Sequence, residues 1–308
     1  MEREGNGLKG AIAIIVASLL WGTTGTAASY SPDVSALAIG AFSMGIGGLL
    51  LVITARKKLV VDYYQLLEKP SLLLLGAFSI AIYPLTFYSA MRLSGVALGT
   101  VVSIATAPLF AVILERLISK KSISRQWCVS FIIGATGIVL LALGREATTH
   151  GSHGHLLTTV GILLGGIAGL TYATYSWVTR RLIESGVHSQ SAMSGLFGCA
   201  ALLLLPSLYF TGDNLFASPT NTLVSLYMAV IPMFLGYLLF SFGLNFIDAS
   251  KATLITLIEP LMATLLAVLI IGERFKAMGW LGVVLISLSL FLQTLKHQYP
   301  EKIITISS

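Results

Sequence analysis

Charge is scarce in this chain. Lys, Arg, Asp and Glu together make up 10% of its 308 residues, where a soluble domain carries about 25%. The missing polar surface argues against a water-soluble globule and points to lipid as the solvent. A formal charge of +6 would suggest nucleic acid as a partner in a soluble protein. Here the bases fall in short clusters between long apolar runs, which suits the polar faces of a membrane protein. Cysteine is equally sparse. Cys128 and Cys199 stand alone in separate apolar runs, which excludes a disulfide framework and reads as small core residues.

Catalytic and nucleotide motifs are missing too. The sequence holds no His-Glu-x-x-His, no Gly-x-Ser-x-Gly and no Gly-x4-Gly-Lys-Ser/Thr, so zinc proteolysis, elbow-type hydrolysis and direct ATP drive find no support. All five histidines fall in or beside loops, which leaves no buried general base. The stretch HGSHGH places His150, His153 and His155 at a spacing that suits a transition metal. With only Glu146 nearby and glycines between, a solvated linker is the expected reading. No metal or cofactor is expected. The chain does not read as an enzyme, and a membrane sensor or scaffold stays open.

Apolar runs are plentiful instead. Hydrophobic residues make up 56% of the chain. Ten runs of about 18 to 24 residues recur at 9–29, 34–55, 70–91, 96–118, 125–144, 158–179, 190–210, 222–243, 249–271 and 277–296. Each is long enough to cross a ~30 Å hydrocarbon core as a helix. The expected fold is all-α and integral to the membrane. The first run could pass for a cleaved signal, but it is long and its end resembles a later segment, so it is expected to be retained. With the N-terminus inside, cytoplasmic segments hold 15 Lys and Arg residues and external loops hold 4. This asymmetry predicts both termini in the cytoplasm.

The chain also repeats itself. YSAMRLSGVALGTVVSIATAPLFAVIL (88–114) aligns without a gap on FSFGLNFIDASKATLITLIEPLMATLL (240–266), with Pro108 on Pro260. ASLLWGTTG (17–25) matches AGLTYATYS (168–176), with Trp21 on Tyr172, and the two offsets are 152 and 151. The expected organisation is a first repeat at 1–144, an external loop at 145–157, a second repeat at 158–299 and a cytoplasmic tail at 300–308. Five helices per half would insert the second half upside down, an architecture known from transporters that bind cargo near the midplane.

At SLLWGTTG (18–25), ATAPLFAVIL (105–114), IEPLMATLLAVLIIGERF (258–275) and the final helix after GW (279–280), the chain resembles the drug/metabolite transporter superfamily, and within it the ten-helix EamA family. The resemblance implies an inner-membrane secondary transporter, often an exporter of amino acids, amines or other small metabolites. It implies a central cavity lined mainly by helices one, three, four, six, eight and nine. Two departures stand out. GAFSMGIGG (40–48) lacks the Arg many relatives carry in the second helix, and Gly272-Glu273 has no counterpart in the first half.

Glu259 is the foremost candidate site residue. A charged acid at a helix centre costs about 2.5–3.5 kcal/mol, so it should face the interior, find a partner or hold a proton. It reads as a substrate-binding or proton-coupling acid, or as a partner for backbone freed by Pro260. Its repeat counterpart is Ala107. Pro108 and Pro260 are candidate hinges, because proline removes a hydrogen bond and kinks a helix. Trp21, Tyr83, Tyr88, Tyr172, Tyr175 and Tyr237 are candidate cavity aromatics, whereas Trp177 and Tyr30, near span ends, read as interfacial belt. Ser103 and Thr256 would line a polar face, unless they bond their own backbone. Glu115 reads as an interfacial partner of Arg116, and Asp248, near Lys251, as an acid at a helix N-terminus. The expected partners are a small-molecule substrate and the lipid bilayer. Monomer and homodimer both remain open, as do proton-coupled export and uncoupled facilitation.

Overall fold

The computed structural model describes residues 2–94, 96–144, 155–271 and 276–294, and the regular elements among them are helices. They are α1 (Glu2–Gly22), α2 (Thr24–Ser29), α3 (Ala36–Leu67), α4 (Pro70–Ser94), α5 (Val96–Leu117), α6 (Arg125–Leu143), α7 (His155–Glu184), α8 (Ser189–Thr211), α9 (Pro219–Met228), α10 (Gly236–Gly243), α11 (Ala249–Ile255), α12 (Ile258–Leu266) and α13 (Ala277–Thr294). Two π-helical stretches join the set, Ala229–Leu235 between α9 and α10 and Ala267–Ile271 after α12. Taken as α1–α2, α9–α10 and α11–α12, they form ten helical segments among the described residues. Seven are long and apolar enough to cross a bilayer by length and composition, and Arg125–Leu141 and Ala277–Leu292 are shorter apolar helices. His150, His153, Glu146, the Gly272-Glu273 pair and the tail at 300–308 lie outside the described residues.

Local chemistry sets several boundaries. Ser35 caps α3, its hydroxyl accepting from the Ala38 N–H at 3.0 Å, which satisfies one orphan donor of the first turn. Ser218 does the same for α9 through Asn221 N–H at 3.1 Å, with Pro219 following at the favoured first position. The 32-residue α3 runs well beyond the expected end at residue 55. Its extension buries Asp62, whose carboxylate accepts from the His188 N–H at 3.0 Å and meets His188 Nδ1 at 2.9 Å.

The helices pair in a defined way. Asp62 at one end of α3 meets His188 just before α8, while Ser35 at the other end donates to the Thr211 carbonyl at 3.2 Å, so α3 and α8 run antiparallel. Between them Gly48 removes the side chain that would otherwise sit 2.7 Å from the Phe197 carbonyl oxygen, and the backbones close up as membrane helices with small residues do. α4 lies antiparallel on α7, with Gly76 facing Val178 and Gly161 facing Ser94. α1 lies antiparallel on α10, and α6 on α13, where Ser289 donates to the Ser130 carbonyl at 2.7 Å. α5 instead runs parallel to α7, Val102 against Gly165 and Ser119 accepting from the Trp177 indole at 3.0 Å.

Three expectations are corrected. Trp177 is no belt residue: it is 5% exposed and its N–H is used on Ser119. Cys128 faces outward rather than into the core, and Cys199 is half-buried. Glu115 does not pair with Arg116. It is buried, and its carboxylate accepts from the Ser250 N–H at 3.1 Å and from the Ser250 hydroxyl, fixing the end of α5 to the start of α11. Removing that hydroxyl leaves a buried acceptor short of a partner, a loss of about 1–3 kcal/mol. Ser250→Ala is therefore expected to lower the melting temperature in detergent, with Ser250→Thr close to wild type.

Candidate functional site

The site begins where helices are interrupted. Pro260 has no N–H to give the Thr256 carbonyl, so that carbonyl accepts from the Glu259 N–H at 2.9 Å instead, and Leu257 N–H turns back to Leu254 at 3.2 Å. The regular ladder therefore stops at Thr256–Leu257 and restarts as α12. Glu259 sits in the first turn of that new helix, where the positive end of the helix dipole favours a carboxylate. Another interruption, at Thr23, separates α1 from α2 just after Trp21. The π-helical Ala229–Leu235 stretch faces it, and the Pro232 carbonyl accepts the Trp21 indole N–H at 2.9 Å. Gly236 makes room for the indole: a Cβ there would lie 2.5 Å from Trp21 Nε1.

These features surround a narrow, part-open cavity of about 40 Å³. Of the nine sequence-derived binding candidates, Trp21, Tyr83, Tyr88, Tyr172, Tyr175, Tyr237 and Glu259 line it. The rings form one connected cluster. Trp21 lies 4.8 Å from Tyr237 and 6.4 Å from Tyr172, and Tyr83 lies 5.7 Å from Tyr172, between centroids. Tyr175 and Tyr237 share a hydrogen bond at 3.0 Å. Among the described residues, Glu259 brings the cavity's only carboxyl group, and no Lys, Arg or His lines it.

Ser103 and Thr256 stand outside the lining. Ser103 is buried and donates to the Gly99 carbonyl at 2.8 Å, the backbone bonding common for membrane serines. Thr256 accepts from the Tyr172 hydroxyl at 3.1 Å and so holds that ring from behind. Pro108 lies within an uninterrupted α5, whereas Pro260 follows a break, so the two aligned prolines shape their helices differently. The expected set of lining helices is also corrected. Among the described residues the fourth segment, α5, contributes none to the lining, because it packs one layer away against α7, α4 and α11. The second segment contributes Ser43 and Met44 in its place. Thr24, Pro84, Phe87 and Met233 complete the wall. Thr24 lay within SLLWGTTG and Ser43 and Met44 within GAFSMGIGG, but no residue type there marks a cavity.

One end of the cavity is sealed. Behind Tyr175 and Tyr237 lie Val178, Leu182, Phe240 and Leu244, all fully buried. Beyond them is an ionic network. Lys121 reaches Glu184 at 2.7 Å and Asp248 at 2.5 Å, and Arg180 reaches Glu184 at 3.1 Å and Asp248 at 3.5 Å. Asp248 immediately precedes α11, as expected of an acid at a helix start, but its partners are Lys121 and Arg180. The network ties the α5–α6 loop, the end of α7 and the α10–α11 turn together. On the other side Thr24, Phe87 and Met233 are only half-buried. A separate apolar groove between α2 and α9 is lined by Ala27, Tyr30, Leu223 and Tyr227 among others and carries none of the candidate residues.

The comparisons with known proteins agree with this architecture. A family model described as the EamA-like transporter family matches residues 8–143 and again 159–295. The chain is 30% identical over 282 residues to the uncharacterized transporter YwfM of Bacillus subtilis, covering 91% of each. It is 27% identical over 300 residues to the uncharacterized inner membrane transporter YicL of Salmonella typhimurium, covering 94% of this chain and 97% of that one. A solved crystal structure superposes with a TM-score of 0.76 at 18% identity, covering 92% of this chain and 95% of the other, and shares its fold. The chain belongs to the EamA-like transporter family. It is an integral membrane protein.

Partial burial alone would lower the pKa of Lys121, but hydrogen bonds to Asp248 and Glu184 outweigh it and hold the ammonium above its ordinary 10.5. A raised lysine pKa adds stability in full below the unfolded value and loses it as pH climbs through the folded one. Lys121→Met is accordingly expected to melt below wild type from neutral pH up to about 10.5. The two curves should converge at higher pH, as read by thermal denaturation in detergent across a pH series.

Proposed function

We propose that this protein is an inner-membrane secondary transporter that exports small amine-bearing metabolites, amino acids or related compounds, by alternating access. The observation that carries this reading is a half-open cavity at helix interruptions, built from aromatic faces around one titratable acid. An ionisable residue inside a membrane segment marks a functional site by default, and interrupted helices are where transporters seat their cargo. The site residues in this reading are Trp21, Tyr83, Tyr88, Tyr172, Tyr175, Tyr237 and Glu259, with Thr256 supporting Tyr172 from behind. Pro260 acts as the hinge of the ninth segment. Both chain ends lie in the cytoplasm, and the ionic network then closes the cytoplasmic side.

Helix pairing supports two inverted halves. If each segment is exchanged with the one five places on, the first–eighth pair becomes sixth–third and the fourth–sixth pair becomes ninth–first. The second–seventh and fifth–tenth pairs return themselves. All of these pairs are packed here. A two-fold relation of this kind lets one half take up the conformation of the other and turn the cavity to the opposite side.

Glu259 is the coupling group in this account. Cargo and proton would compete for one carboxylate, which links efflux to the proton gradient. In proteoliposomes, Glu259→Gln is expected to abolish gradient-driven accumulation and flatten the pH dependence of flux, while Glu259→Asp keeps part of both. Unchanged, pH-dependent accumulation by the Gln variant would instead favour uncoupled facilitation.

A further inference from the structure

The sign and shape of the cargo can be read from what the cavity offers each part of it. Seven of the lining residues are aromatic and two are methionines, Met44 and Met233. Three of the five lining tyrosines have their hydroxyls engaged: Tyr172 donates to Thr256, and Tyr175 and Tyr237 bond each other. What these three present to the space is ring surface. The Glu259 carboxyl group makes no hydrogen bond or ion pair with any described residue, so its oxygens are open to a ligand.

An α-amino acid brings two charges to such a site. Its ammonium would find Glu259 and the electron-rich ring faces, which attract cations. Its carboxylate would find no lysine, arginine or histidine among the described lining residues. The start of α12, the natural seat for an anion, already carries the Glu259 carboxylate in its first turn. A second carboxylate would therefore be desolvated beside the Glu259 carboxyl with no cationic partner among the described lining residues, a cost that grows as the surroundings become less polar.

We infer that the preferred cargo is a monovalent organic cation with an apolar or aromatic body and no carboxylate, held by Glu259 inside the Trp21–Tyr83–Tyr172–Tyr237 ring cluster. This inference rests on the transporter reading of the cavity and narrows it from amine-bearing metabolites at large to those without an acid group. A quaternary ammonium should bind as well as a primary amine, because charge and ring faces recognise it without needing an N–H donor.

The test uses probes of one body and different charge: phenethylamine, phenylalanine, hydrocinnamate and benzyltrimethylammonium. Binding to the purified wild-type protein is measured by tryptophan fluorescence, and flux is measured in proteoliposomes. The two cations are expected to bind at least roughly tenfold more tightly than phenylalanine, with hydrocinnamate weakest. Glu259→Gln should shrink that preference to about threefold or less, and Tyr172→Phe, which keeps the ring, should preserve it. Phenylalanine binding as tightly as phenethylamine, or more tightly, overturns this inference and leaves the transporter reading intact. Absence of flux for every probe overturns both.

Discussion

Between Ile255 and Ile258 the ninth segment gives up regular helical hydrogen bonding, in surroundings where water cannot repair the loss. A free backbone group in hydrocarbon costs several kcal/mol, so such a break persists only where protein or a wet cavity surrounds it. Here the Glu259 N–H takes over the Thr256 carbonyl that Pro260 cannot serve. The same turn sets the Glu259 carboxylate at the start of a new helix and directs it toward the aromatic cluster. Proline and glutamate adjoin because one opens the helix and the other occupies the opening.

The surrounding architecture accommodates this break. α1 is interrupted after Trp21, and the π-helical Ala229–Leu235 stretch offers the Pro232 carbonyl to the Trp21 indole. The first-half counterpart α5 stays continuous through Pro108 and packs a layer away from the cavity. The two halves thus share a packing pattern while dividing labour: the interruptions flanking Glu259 fall in the first, eighth and ninth segments, and the acid comes from the second half alone. Beyond the aromatic floor, four charged side chains from three connections hold one end shut.

Much of the fold was legible because lipid imposes a simple rule on sequence. Ten apolar runs, the short connections and the Trp21–Tyr172 correspondence could be read directly, and those two rings sit 6.4 Å apart at the cavity. Side-chain direction was harder. Ser103 and Thr256 look alike in sequence and both bond their own backbone, yet only Thr256 also holds a tyrosine. Trp177 lies near a helix end, which suggests an interface, but its neighbours bury it. Ser43 and Met44 reach the cavity only through the close approach of α3 to its partners, and nothing in their identity reports that.

The central claim is that Glu259 faces water-accessible space inside the bundle rather than lipid. It is tested most directly in a chain with Cys128 and Cys199 replaced by serine, carrying a single cysteine at Glu259 or at Leu265. Leu265 lies on the same helix and is 40% exposed on the outer surface. In membranes, a charged, membrane-impermeant maleimide should label Glu259→Cys, while Leu265→Cys stays unmodified. Labelling of Leu265→Cys with Glu259→Cys inert would contradict the account.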